Sequence, residues 1–145
     1  MQPTDARSVP PLMIVGIFAA AFVLLTVLLN ILVLFIPFDN PAMGLIIVFA
    51  AASAAAQNWV LREGAVPANG RAWRLALACG LVSGVLSAGL AVFSFSGDKF
   101  LWRAFSNAGG PMLVLIFAAI TAIQVLFIRL AFWLAFRQAA RRVEP

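Results

Sequence analysis

Four apolar stretches, each long enough to cross a membrane, dominate the sequence. They run from about residue 12 to 36, 42 to 61, 75 to 96 and 111 to 136. About 20 helical residues are enough to cross a hydrocarbon core about 30 Å thick. Backbone polar groups in lipid must be satisfied within the segment, and the alternating pattern of a membrane barrel is missing, so each stretch should be a helix. The sequence therefore predicts an all-α fold, an integral membrane four-helix bundle that forms a single transmembrane domain over residues 1–145.

The composition excludes the alternatives to a membrane protein. Hydrophobic residues make up 64% of the chain and charged residues only 10%, whereas soluble domains contain about 45–50% apolar and about 25% charged residues. A chain of 145 residues forms at most one core and cannot hide this much apolar surface from water. Intrinsic disorder is excluded as well, because it requires low hydrophobicity and high charge. We therefore expect the lipid bilayer to be the solvent of this chain.

The basic residues predict the orientation of the spans. If the four spans alternate in direction, both termini and the connection between spans two and three lie on one side. The opposite side carries two basic residues, Lys99 and Arg103. The side with the termini carries seven, namely Arg7, Arg62, Arg71, Arg74, Arg137, Arg141 and Arg142. Because cytoplasmic segments carry such an excess of Lys and Arg, we expect both termini in the cytoplasm (N-in, C-in). The same bias accounts for the net charge of +5, so no nucleic-acid partner is expected.

Small residues recur at every fourth position along span three. Ala76, Gly80, Gly84 and Ala88 form this stripe, and the two glycines make a GxxxG pattern. Such a pattern lets helix backbones approach closely in lipid. Ser83, Ser87 and Ala91 form a second small stripe beside the first. Two small stripes predict neighbours on two sides, which would place span three at the centre of the bundle. Packing within one chain is the simpler interpretation of the GxxxG pattern, and a homodimer interface is the alternative.

Polar side chains within the spans are the candidate lipid- or anion-contact residues. Arg129 lies inside span four, and an ionisable residue at such a position is a functional candidate by default. The sequence favours a guanidinium that snorkels to the interface and pairs there with Trp133, one turn further along, with phosphates or with carbonyls. The alternatives are a site for an anionic headgroup or substrate and a pairing with Gln57 or Asn58 of span two. For Gln124, near the middle of span four, we expect hydrogen bonds between helices.

The segment between spans three and four is mildly amphipathic. In helical form, Leu101, Trp102 and Phe105 share one face, whereas Lys99 and Arg103 share another. We expect this segment to lie in the plane of the membrane interface.

Several chemistries are missing from the sequence. The chain has no histidine and one cysteine, Cys79, which excludes a Ser-His-Asp triad, bis-His haem ligation and metal sites that rely on histidine. No span contains an aspartate or a glutamate, the group that a proton-coupled exporter uses as its relay. We therefore expect neither catalytic residues nor a cofactor nor a metal, and predict that the chain is not an enzyme.

Residues 50–90 resemble a group of small bacterial membrane proteins with four predicted spans, the ABZJ family. The likeness consists of a small-residue end to span two, a short basic loop with a central Pro67, and a third span that contains serine and glycine. The resemblance implies a multi-pass protein of the bacterial inner membrane and carries no biochemical activity with it.

Together these patterns favour a non-enzymatic inner-membrane protein with a structural, assembly or envelope-related role. Its partners would be the lipid bilayer and either another membrane protein or a second copy of the chain. The alternative is a small oligomeric transporter or channel with Asn30, Gln57, Gln124 and Arg129 as its pore or substrate contacts.

Overall fold

A computed structural model describes residues 9–36 and 42–143 of the chain, with the backbone alone at 139, 140, 142 and 143. These residues form five α-helices and no strand. The helices are α1 (Pro11–Phe35), α2 (Met43–Glu63), α3 (Asn69–Ser96), α4 (Lys99–Asn107) and α5 (Gly110–Val143). Arg7 and the connection 37–41, both used to predict the orientation, lie outside the described residues.

Four of these helices are long and apolar enough to cross a membrane: α1, α2, α3 and the part of α5 from Gly110 to Gln138. The prediction of an all-α membrane bundle with four spans is confirmed. Pro11 occupies the first position of α1, where its fixed φ favours the helix. Gly64 ends α2 with a left-handed backbone at φ 67°, the conformation that glycine adopts most easily.

Two helices extend beyond the predicted spans. α3 begins at Asn69 rather than near residue 75, and α5 continues to Val143 rather than ending near residue 136. Hydropathy marks the part of a helix that lies in hydrocarbon, whereas a helix with polar residues continues into the interface. At 1.5 Å per residue, the 34 residues of α5 span about 50 Å, well beyond the hydrocarbon core.

The four long helices form a ring. α1 packs on α2 and α3, and α5 packs on the same two helices. α3 therefore has neighbours on two sides, but residues of both small stripes contact the same one, α5. Its predicted place at the centre of the bundle is wrong, because every span of the ring has two main neighbours and α2 and α3 lie diagonally opposite.

The buried core is confined to one end of the ring. Its residues lie at 14–22 in α1, 48–59 in α2, 72–83 in α3 and 124–136 in α5. We call this the basic end. It carries Val9, the α2–α3 connection, the C-terminal part of α5 and the described side chains of Arg62, Arg71, Arg74, Arg137 and Arg141. We call the opposite end the far end; it carries the C-terminal parts of α1 and α3, the starts of α2 and α5, and α4. Towards this end, most apolar side chains face outward, as expected of surfaces that contact lipid.

The segment between the third and fourth spans is the helix α4. The Asp98 carboxylate caps it by accepting hydrogen bonds from the backbone N–H groups of Phe100 and Leu101, at 2.8 and 3.3 Å. The Trp102 and Phe105 rings stack with centroids 6.0 Å apart. No residue of α4 is buried, so its apolar side chains lie on the surface of the far end.

Candidate functional site

An ion pair ties three segments together at the basic end. Arg71 of α3 lies 2.7 Å from the Glu63 carboxylate at the end of α2. Glu63 also accepts a hydrogen bond from the backbone N–H of Val9, at 2.8 Å, and Arg71 donates to the Val9 carbonyl, at 2.5 Å. Both charges are thereby paired, and the chain just before α1 is fixed against the start of α3.

An aromatic cluster closes the core beneath this ion pair. Trp59 is fully buried, and the Phe132 and Phe136 rings of α5 contact it edge-on with centroids 6.0 and 5.6 Å away. The Arg71 guanidinium lies 5.3 Å from the centroid of the Trp59 ring on another side. The indole Nε1 is buried and has no hydrogen-bond partner among the described residues.

Arg129 reaches the basic end from its position inside the fourth span. Its guanidinium donates a hydrogen bond to the side chain of Asn69, the first residue of α3, and lies 5.5 Å from the centroid of the Trp73 ring. Its Nε is buried and has no partner among the described residues. The predicted pairing with Trp133 is wrong, because the Trp133 ring instead contacts Arg137, at 5.3 Å.

Arg129, Arg137 and the start of α3 enclose an open cleft of about 320 Å³. The two arginines are two helical turns apart on α5, with Trp133 between them, so all three share one helix face. The cleft has no acidic residue in its described lining, which consists of Val66, Pro67, Asn69, Ala72, Arg129, Trp133, Phe136 and Arg137. It combines two positive charges, one amide and an apolar wall.

The two span-two candidates lie apart from this cleft. Gln57 is exposed on the surface of α2. Asn58 is half-buried and accepts a hydrogen bond from Arg62 Nε, at 2.7 Å, on its own helix. The pairing of Arg129 with Gln57 or Asn58 is therefore wrong. The rotation of α2 in the ring turns these side chains to a different surface.

Gln124 lies in the core between α5 and α3. It is only 6% exposed, accepts a hydrogen bond from Ser83 Oγ at 2.9 Å, and donates through Nε2 to Ser87 Oγ at 3.4 Å. The expectation of hydrogen bonds between helices is met at this residue, and both partners belong to the second small stripe of α3. Gln124 therefore acts in helix packing and lies away from the cleft.

The first small stripe brings α3 and α5 into close contact. A Cβ atom added to Gly80 would overlap Val125 Cγ2, and one added to Gly84 would lie 2.5 Å from Thr121 Oγ1. Ala76 is fully buried on the same face, and Ala88 is partly buried further along. The GxxxG pattern thus packs two helices of one chain, in agreement with the simpler of its two interpretations.

The sequence offered one signal for the cleft that the prediction did not use. Arg129, Trp133 and Arg137 recur at every fourth position, which places two cations and an aromatic ring on one helix face. Asn69 and Trp73 show the same spacing, but they precede residue 75, where the apolar pattern predicts the start of span three. Without the true start of α3, the two groups cannot be placed side by side.

Fold and cleft together define a class: a multi-pass helical membrane protein with a basic, aromatic cleft at one end of its bundle. Comparison with protein-family models, with curated proteins and with solved structures found no match for this chain.

Proposed function

We propose that the chain is a non-catalytic protein of the bacterial inner membrane that acts by lateral association, as a structural, assembly or envelope-related component. The observation that carries the proposal is the closure of the bundle around Gln124. Gln124 is the side chain best placed to line a polar path, and its amide is engaged in hydrogen bonds with Ser83 and Ser87. Beyond it, the rings of Trp59, Phe132 and Phe136 fill the basic end.

The transporter alternative has weaker support in the contacts. Asn30 donates to the carbonyl of Thr26 in its own helix, at 2.7 Å. Gln57 faces outward, Gln124 is buried, and Arg129 lies in the cleft. A path lined by these side chains would require several copies of the chain, with the Gln57 faces turned towards each other.

Cysteine labelling distinguishes the two functions. We expect Ser87→Cys in a Cys79→Ala background to resist membrane-impermeant thiol reagents added to either side of the membrane, because Ser87 lies against Gln124 in a packed interface. Exposed Ser106→Cys on α4 is the positive control. Liposomes that contain the purified protein should show no ion or solute flux above empty liposomes, and mild solubilisation of native membranes should yield a complex larger than the purified protein. Labelling of Ser87→Cys together with flux would replace the proposal by the transporter.

We further propose that the basic end faces the cytoplasm. Support comes from the excess of basic residues at this end, with Arg62, Arg71, Arg74 and Arg137 among the described side chains, against Lys99 and Arg103 at the far end. In the Cys79→Ala background, exposed Ser106→Cys should react with an impermeant reagent added outside intact spheroplasts. Exposed Ala68→Cys, in the α2–α3 connection, should react only after permeabilisation. The reverse pattern would contradict the orientation.

A further inference from the structure

We propose that the cleft between the start of α3 and the C-terminal part of α5 binds a phosphate group, carried either by the headgroup of an anionic lipid or by a small phosphate ester. The inference goes beyond the proposed assembly role and does not depend on it. Its starting point is the pair of guanidiniums, Arg129 and Arg137, that line one open cleft. The Arg129 guanidinium donates to the side chain of Asn69, which lines the same cleft.

An anion in the cleft is a natural acceptor, because a guanidinium presents a planar fork of donors that matches the spacing of phosphate oxygens. The Asn69 side chain, which accepts from Arg129 through Oδ1, still has two N–H donors at the rim of the cleft. Three groups of donors therefore border one small space: Arg129, Asn69 and Arg137.

The charge of the cleft agrees with an anionic ligand. Arg129 and Arg137 both line it, and its described lining contains no carboxylate. Glu63, the acidic residue at this end of α2, is engaged by Arg71 and the Val9 backbone. Among the residues that the structure describes, the two lining guanidiniums therefore have no acidic counter-charge in the cleft.

Two tryptophans preorganise the arginines. The Trp73 ring holds Arg129, and the Trp133 ring holds Arg137, each at a centroid distance between 5 and 6 Å. Fixing a long side chain before binding lowers the entropy cost of binding. Both rings are roughly half exposed, at 40% and 47%, as is typical of tryptophans at the level of lipid headgroups.

The size and position of the cleft suit a headgroup. Its volume of about 320 Å³ is at the lower end of the range for small-ligand sites. It opens where α3 begins, next to the α2–α3 connection, while its wall of Val66, Ala72 and Phe136 is apolar. A lipid in the adjacent leaflet can place its phosphate on the arginines, and a free phosphate ester can enter from the water side.

The test measures the thermal stability of the purified full chain while a ligand is titrated. One arm adds phosphatidylglycerol to phosphatidylcholine nanodiscs, and the other adds inorganic phosphate to protein in a neutral detergent. We expect saturable stabilisation in at least one arm. Stabilisation by the lipid alone identifies a headgroup site, and stabilisation by both probes identifies a site for the phosphate group itself.

Variants locate the effect. Arg129→Lys keeps the charge but lacks the planar fork, so we expect a normal melting temperature without ligand and an apparent affinity lowered about tenfold. Arg137→Gln should weaken binding as well, and it serves as the main variant if Arg129→Lys fails to fold. Arg103→Gln, which removes an exposed arginine of α4 at the far end, is the matched control and should bind like the unmodified chain.

Three results would overturn the proposal. The first is no saturable stabilisation in either arm. The second is stabilisation that survives both cleft variants unchanged. The third is an equal loss in the cleft variants and in Arg103→Gln, which would assign the effect to net charge rather than to the cleft.

Discussion

Gly80→Leu should destabilise the folded bundle by about 3 kcal/mol or more, the upper part of the usual range for overpacking. Any side chain at this position begins with a Cβ atom that overlaps Val125 Cγ2 of α5, and the next two contacts, at 3.3 and 3.4 Å, are Val125 Cβ and Cα. The backbone of α5 thus already lies at van der Waals distance from this Cβ, so rotation of Val125 alone leaves no room for the remaining atoms of leucine. The helices must separate, which removes packing along the whole α3–α5 contact.

The measurement is the free energy of unfolding in mixed micelles, or the thermal midpoint where unfolding is irreversible. Gly89→Leu is the matched control, because Gly89 lies on the same helix, is exposed, and has no heavy atom within 4 Å of an added Cβ. Both variants gain the helix propensity of leucine over glycine, so their difference reports the packing. Similar stability of the two variants would contradict the α3–α5 contact.

Trp59→Ala should produce the second large loss, on the order of 3 kcal/mol, which is typical of a large aromatic side chain removed from a packed core. The side chain is fully buried and contacts two phenylalanines of α5 edge-on, while Arg71 lies against its ring. Alanine leaves a cavity at the junction of α2, α3 and α5. It also removes the aromatic ring on which Arg71 rests beside the ion pair with Glu63.

Phe93→Ala is the control for Trp59→Ala, since Phe93 is an aromatic residue of α3 that is 79% exposed. We expect it to change the thermal midpoint little. Trp59→Phe adds a second comparison. It keeps most of the aromatic volume and removes the unpartnered Nε1 donor, so it should retain most of the stability. A Trp59→Phe variant as unstable as Trp59→Ala would show that Nε1 has a partner that stabilises the fold.

The two glycines also explain why the cleft exists where it does. Close approach of α3 and α5 at Gly80 and Gly84 aligns the two helices in depth. With this register, Asn69 at the start of α3 lies about two helical turns beyond Arg129 towards the basic end, and the long Arg129 side chain reaches along α5 to contact it. Displacement of the helices in Gly80→Leu would therefore disturb the cleft as well as the core.

The sequence alone determined the number, type and approximate limits of the membrane helices. An apolar stretch of about 20 residues has one solution in hydrocarbon, a helix that satisfies its own backbone groups. It also determined the face on which Ala76, Gly80 and Gly84 lie, because positions four apart fall on one side of a helix. These properties are local, so they can be read from one segment at a time.

Only the tertiary structure decided which faces meet. The sequence predicted partners for Arg129 on its own helix or on α2, whereas its partners Asn69 and Trp73 are on α3. That choice depends on the order of helices in the ring, on the rotation of each helix about its axis, and on the extension of α3 beyond its apolar part. None of these is a property of a single segment, because each results from packing all four helices at once. Lipid solvates an apolar helix face as well as a neighbouring helix does, so close fit and hydrogen bonding select which helices become neighbours.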